Sequence, residues 1–305
     1  MPTGRVELAP AIDGWESLAL GRELREAFGG AAIRMATDAK AAAAAESRWG
    51  ALHGCDPAVY LNLGTGLAAA IVAGGQVISG GNGAAGEIGY NLRAISDVGL
   101  ALSARTMLED RVSGQGIGAR ASSRAGRLTA ADVFAAGPGD AALSALITEF
   151  ADELAYHLVN LAIAIDPVRI AVGGGLVRSW DQIGPQLDRA LSSGPPFPPE
   201  LVLAHFPYDA PLLGAVALAV DAAAGNGTGR GKPGIALSPD ITDTSGIPSA
   251  SGASDGPESP EKPETPTLAD IPETTSVAAA MSAPCSTDAT LGIIGSFDNN
   301  TGAKA

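Results

Sequence analysis

Aromatic side chains are scarce in this chain, at 4% of its residues, and cysteine is scarcer, with two in 305. A core with few rings must be built from Ala, Val, Leu and Ile, by close approach of small side chains. Cys55 and Cys285 stand far apart and neither belongs to a CxxC pair. They support no disulfide framework and no zinc knuckle, and a reducing cytoplasm is the expected setting. Positive charge is also in deficit. The net charge is −14, with no basic stripe and no helix-turn-helix with a basic face, which argues against nucleic acid as a partner. The acidity reads as a solvated surface. No apolar run reaches transmembrane length. The opening MPTGRVELAPAIDGWES lacks the basic and apolar regions of a signal peptide.

What the chain has in quantity is glycine, 40 residues, much of it clustered between apolar runs. That pattern suits an α/β protein with tight turns. Composition changes near Ala224. Beyond it Pro, Ser, Thr and Gly dominate, with ten acidic residues against four basic ones. Such a segment buries too little apolar surface to offset its ordering entropy, so residues 225–305 are expected to be disordered. Before the break, periodicity predicts helices over Trp15–Phe28 and from Asp38 toward Gly50, with a short strand at Ala31–Ala36 between them. Strands follow at Val59–Leu63, Leu67–Ala73 and Gln76–Ser79, with Gly74-Gly75 as a hairpin turn. Ala141–Ile165 is a long helix stopped by Asp166-Pro167. A buried strand at Arg169–Val172 runs into Gly173-Gly174-Gly175. Then come a helix at Trp180–Leu191, a strand at Leu201–His205 and an apolar helix at Ala210–Ala223.

Four constellations carry chemistry. Gly64-Thr65-Gly66 joins two strands, and its exposed N–H groups and hydroxyl can cradle phosphate, although G-x-G between strands is commonly just a turn. Glu87 sits among small residues in Gly81–Gly89, where a carboxylate can accept sugar hydroxyls or be an ordinary solvated loop acid. Asp38 stands at a strand-to-helix junction, as a general base toward a hydroxyl or as a helix cap; local sequence favours the cap. Ile170–Leu176 takes a strand into a glycine loop, the place where nucleotides bind in α/β proteins, or a plain turn. Ser113–Gly118 has the spacing of a dinucleotide loop, but no strand precedes it, and that reading is discarded.

The order of these motifs resembles the ROK (repressor, open reading frame, kinase) family of sugar kinases and regulators. The family's segments run NDA(N)AAALAE, YLxLGTGIGxGIIxxGxxxxG, AGEIGH and NLxxxxDPxxIVLGGG. Here they stand as TDAKAAAAAE, YLNLGTGLAAAIVAGGQVISG, AGEIGY and NLAIAIDPVRIAVGGG. The resemblance runs from near Gly4 to near Ala223. It implies an actin-like ATPase (ribonuclease H-like) α/β fold, mostly its second lobe. It implies ATP with Mg2+ as the phosphate source and a hexose or amino-sugar as acceptor. On it, Asp38 falls on the catalytic base. Glu87 and Glu109 fall on glutamates that touch the sugar, and Thr37, Asn82, Gly83 and Tyr90 fall in the sugar site. Gly64, Thr65 and Gly66 fall on a phosphate-binding motif, and Gly173, Gly174 and Gly175 on the adenosine-binding glycines.

Four departures stand against the pattern. Thr37 replaces asparagine. Tyr90 replaces a histidine that touches sugar and ligates zinc. The CxCGxxGC motif is absent between Gly89 and Glu109, so no structural zinc is expected. A DxGGT phosphate loop, expected upstream of Asp38, is not in the sequence. The expected organisation is a first-lobe remnant over 1–55, a second lobe with its returning helix over 56–224, and a tail over 225–305. An apolar sheet edge left by absent strands invites association, so a homo-oligomer stays open. Three functions compete: a glucokinase-like sugar kinase inactive as this isolated chain, the effector part of a ROK-type repressor, and a degenerate sugar-binding module. No membrane partner is expected.

Overall fold

The computed structural model describes residues 14–15 and 18–224, the side chains of 123–125 apart. The acidic tail and Cys285 lie outside the described residues. Contacts gather 14–15, 18–35, 79–85 and 218–224 into one compact unit, and 36–78 and 86–217 into a second.

In the first unit α1 spans Leu20–Phe28 and not Trp15–Phe28. A separate turn precedes it, closed by the Leu18 N–H donating to the Trp15 carbonyl. The strand expected at Ala31–Ala36 is not formed. A strand exists through its ladder, and among the described residues this segment has no strand partner.

The second unit is built on a five-stranded sheet. Its elements are α2 (Asp38–Trp49), β1 (Ala58–Leu63), β2 (Leu67–Ala73), β3 (Gln76–Val77), α3 (Gly114–Ala125), α4 (Ala130–Ala136), α5 (Ala141–Ile165), β4 (Arg169–Gly173), α6 (Trp180–Ser193) and β5 (Glu200–Leu203). Helix α7 (Ala210–Ala223) begins in this unit. Strand order is β3-β2-β1-β4-β5. The β1-β2-β3 meander is antiparallel, whereas β1 pairs β4, and β4 pairs β5, in parallel. Parallel neighbours need crossover helices, and α5 and α6 supply them. Asp166 ends α5 in the left-handed region at φ 52°, a conformation that aspartate tolerates better than most residues.

Period-2 alternation sorts β1 between two cores. Val59, Leu61 and Leu63 join Phe134, Phe150, Leu154, Leu158, Ile183 and Leu187 of the α3–α6 side. Ala58 and Tyr60 face the other way, toward Ala42 and Ala43 of α2 and Ala210 of α7. Small residues let helices approach closely on this second face. A Cβ on Gly214 would overlap the backbone of Ala41, so α7 crosses α2 in backbone contact. This is the core that a chain poor in aromatics has to build.

Candidate functional site

Strands β1 and β4 run side by side, and both lead into glycine-rich turns. Asn62 is opposite Gly173 in the register, and the Gly64-Thr65-Gly66 turn lies beside the Gly173-Gly174-Gly175 loop. Gly174, at φ +94°, passes so close to β1 that a Cβ would sit 2.6 Å from the Leu63 carbonyl oxygen. An L side chain is excluded there by conformation and by space. The Gly64 and Thr65 carbonyls accept hydrogen bonds from the Gly114 (2.7 Å) and Gln115 (3.1 Å) N–H groups at the start of α3. The turn is thereby fixed with its carbonyls directed at α3. No acceptor for the Thr65 and Gly66 N–H groups is found among the described residues, and Thr65 is exposed. The discarded dinucleotide loop at Ser113–Gly118 is the start of α3, capped by Ser113 Oγ accepting from Gly116 N at 2.9 Å.

Helix α2 brings the acid expected to act as base to the same face as Tyr60. Asp38 is exposed, and among the described residues its Oδ1 accepts only from the N–H of Ala39, at 2.8 Å. It does not cap the amides deeper in the first turn, which was the competing reading. Thr37, at the N-cap position, has a buried hydroxyl without a partner. Tyr60 lies under α2 with its hydroxyl against Gly173. Burial raises the Tyr60 pKa well above the ordinary phenol value, and the charges of Glu46 and then Asp38 push it further. Asp38 is thus within electrostatic reach of the strand that enters the second glycine loop.

Glu46 holds this helix in place. It is fully buried, and its carboxylate accepts from Ala51 N (2.6 Å), Phe206 N (2.7 Å) and His205 N (3.1 Å). It ties the end of α2 to the connection between β5 and α7, where the Pro207 carbonyl in turn accepts from Gly174 N at 3.3 Å. The sequence places Glu46 in the helix but carries no sign of its partners His205 and Phe206, more than 150 residues away.

Glu87 meets an unexpected partner. Lys40 Nζ lies 3.2 Å from Glu87 Oε1, with the lysine side chain 3% exposed and the glutamate 26%. Tyr90 is close by, its pKa raised by burial and then by the charges of Glu109 and Glu87. Glu109 reaches the other way, its Oε2 accepting from Leu67 N at 2.7 Å beside Gly66. Lys40 is thus paired with Glu87, Tyr90 lies within electrostatic reach of Glu87 and Glu109, and Glu109 reaches the Gly64–Gly66 turn. Asn82 and Gly83 belong to the other compact unit, in a turn where Gly83 N–H donates to the Gly80 carbonyl. Lys40 was passed over in the sequence. The available signal is a single charge within a run of alanines.

Between Tyr90 and α3, ion pairs fasten the chain to α5. Glu153 accepts from Arg93 and from Arg111 (3.1 Å), and Glu149 pairs with Arg111 (3.5 Å) and Arg120. Burial alone would raise the Glu153 carboxyl, but hydrogen bonds from the two arginines hold it below its ordinary value. His157, one turn along, is 4% exposed and contacts Asn91 through Nδ1 at 3.4 Å. Burial keeps its pKa below the ordinary value; Glu153 opposes this and Arg93 adds to it.

The sequence model of the ROK family matches residues 3–222. The bifunctional enzyme NanE/NanK of Brucella suis biovar 1 (strain 1330) is 35% identical over 202 residues, 66% of this chain and 37% of that protein. The N-acetylmannosamine kinase of Escherichia coli O7:K1 (strain IAI39 / ExPEC) is 32% identical over 188 residues, 60% of this chain and 63% of that protein. The chain thus spans less than two thirds of either relative. A ROK family glucokinase from Streptomyces griseus, solved in complex with glucose and AMPPNP, is similar in structure. Its TM-score is 0.60 at 28% identity, over 72% of this chain and 78% of that one.

Proposed function

The chain belongs to the ROK family, and from that premise we propose that it carries the nucleotide- and sugar-binding site of an ATP-dependent sugar kinase. Its substrate class is a hexose or an amino-sugar. One observation carries this reading: the two glycine loops converge at the ends of parallel β1 and β4. Ligands bind at that end of an α/β sheet.

The open Thr65 and Gly66 amides, with the Thr65 hydroxyl, suit phosphate oxygens. The Gly173–Gly175 backbone suits an adenosine, since Gly174 keeps side chains out. Mg2+ would come with the nucleotide and be held chiefly by its phosphates, where it neutralises their charge. Asp38, exposed and uncommitted to capping, takes the proton from the sugar hydroxyl that attacks the γ-phosphate. Glu87, with Tyr90 and Glu109 beside it, receives other hydroxyls, since a carboxylate offers several acceptor sites. Thr37 borders the same site with its spare hydroxyl.

Phosphoryl transfer depends on positioning and charge neutralisation from several sides. Residues 1–305 contain the Gly64–Gly66 cradle but no DxGGT loop, so this polypeptide by itself is expected to bind ligands and turn over slowly. Loss of one positioned clamp costs on the order of a hundredfold. The test is ATP-dependent phosphorylation of glucose and N-acetylmannosamine, with and without a ROK first lobe supplied in cis. The lobe should raise turnover, and Asp38→Ala should then cut it about a hundredfold or more. Turnover indifferent to Asp38→Ala contradicts the assignment of the base.

A further inference from the structure

The ammonium of Lys40 stands in an unfavourable place. It is in the first turn of α2, where the helix end already carries partial positive charge. At 3% exposure it has also lost most of its hydration. An ammonium has three N–H donors. One goes to Glu87 Oε1 at 3.2 Å, and Glu87 is its one hydrogen-bond partner among the described residues. Asp38, two residues earlier on the helix, does not face it. A buried donor without an acceptor is costly, so the remaining N–H groups call for one that the protein does not supply.

The pairing also constrains Glu87. With Oε1 committed to Lys40, Oε2 is left for another donor. The loop leading to Glu87 is itself fixed, since a Cβ on Gly86 would overlap the Ala69 carbonyl, and Ala69 N donates to the Gly86 carbonyl at 2.7 Å. A donor-only group and an acceptor-only group are thus held side by side.

We propose that Lys40 is a ligand-contacting, specificity-determining residue of the sugar site. Its free N–H groups take an acceptor oxygen on the ligand while Glu87 Oε2 takes a hydroxyl proton from the neighbouring position. The inference rests on the reading that Glu87 lies in the sugar site. It divides two adjacent ring positions by chemistry. The position facing Lys40 tolerates any acceptor, including one with no hydrogen to give. The position facing Glu87 requires a donor.

Deoxy and deoxyfluoro sugars separate these roles, because fluorine accepts weakly and donates nothing. Calorimetric titration of the full chain with the parent sugar and both series, in the presence of AMPPNP, reads the pattern. One position should show the fluoro analogue within about threefold of the parent and the deoxy analogue about tenfold or more weaker, the size of a hydrogen bond to a charged group. In Lys40→Met that gap should close and parent affinity should fall about tenfold, with AMPPNP affinity unchanged. Lys40→Gln, which keeps a donor, should restore part of it. Wild-type behaviour across the series in Lys40→Met, or tighter sugar binding, overturns the proposal. So does weakened AMPPNP in place of weakened sugar. If Glu87→Ala loses the sugar while Lys40→Met does not, the sugar site stands and the Lys40 role alone falls. Absence of saturable sugar binding in the wild-type chain overturns both.

Discussion

Individual side chains show how far chemistry can be read before a structure exists. Asp38 and Glu87 could be proposed from the sequence because of the motif order they fall in; their local places, a helix start and a glycine-rich loop, favoured no role by themselves. Lys40 and Glu46 could not, because their roles come from partners 47 and about 160 residues away. His157 belongs with them and yields a prediction. Its folded pKa lies below the ordinary 6.5 because burial disfavours the charged ring. The unfolded chain therefore takes up the proton more readily than the folded one. The contribution of this group is complete above about pH 6.5 and is lost as the pH falls toward the lowered value. Melting temperature followed from pH 7.5 to 5.5 should drop, and His157→Gln should flatten part of that drop. A variant with the wild-type slope would show that other groups set it.

At the level of elements, the strands and long helices were legible from periodicity and glycine punctuation. The edges were not. β5 ends at Leu203 rather than His205; the Ala204 N–H still reaches the Val172 carbonyl, but Glu46 takes the His205 and Phe206 N–H groups. Ala31–Ala36 was expected as a strand but has no strand partner among the described residues, and a ladder cannot be read from one segment alone. Two tests belong at this scale. Glu46→Ala leaves three backbone N–H groups without their acceptor and should cost on the order of 3 kcal/mol in urea unfolding, with Glu46→Gln costing less. Equal costs would mean that a neutral amide rescues nothing and that the carboxylate charge carries the whole effect. Gly174→Ala places a side chain at positive φ against the Leu63 carbonyl. It should weaken AMPPNP about tenfold or more while sugar affinity holds. Nucleotide affinity equal to wild type would remove this loop from the site.

At the scale of the whole molecule, the motif order carried the family and the fold, because several spaced motifs must all be satisfied by one topology. It did not carry the sugar. On the proposed reading, specificity comes from side chains gathered from α2, the Gly86–Tyr90 segment and the chain around Glu109, which only the folded chain brings together. The account makes Glu87 the centre of that gathering, and one comparison tests it most directly. Titrate the full chain with glucose and with N-acetylmannosamine in the presence of AMPPNP, and repeat with Glu87→Ala and with Glu149→Ala. Glu149 is an exposed acid on α5, paired with Arg111 and Arg120. At least one sugar should bind saturably, Glu87→Ala should weaken it about tenfold or more, and Glu149→Ala should leave it unchanged. Equal effects of the two substitutions, or no saturable binding of either sugar, would contradict the account.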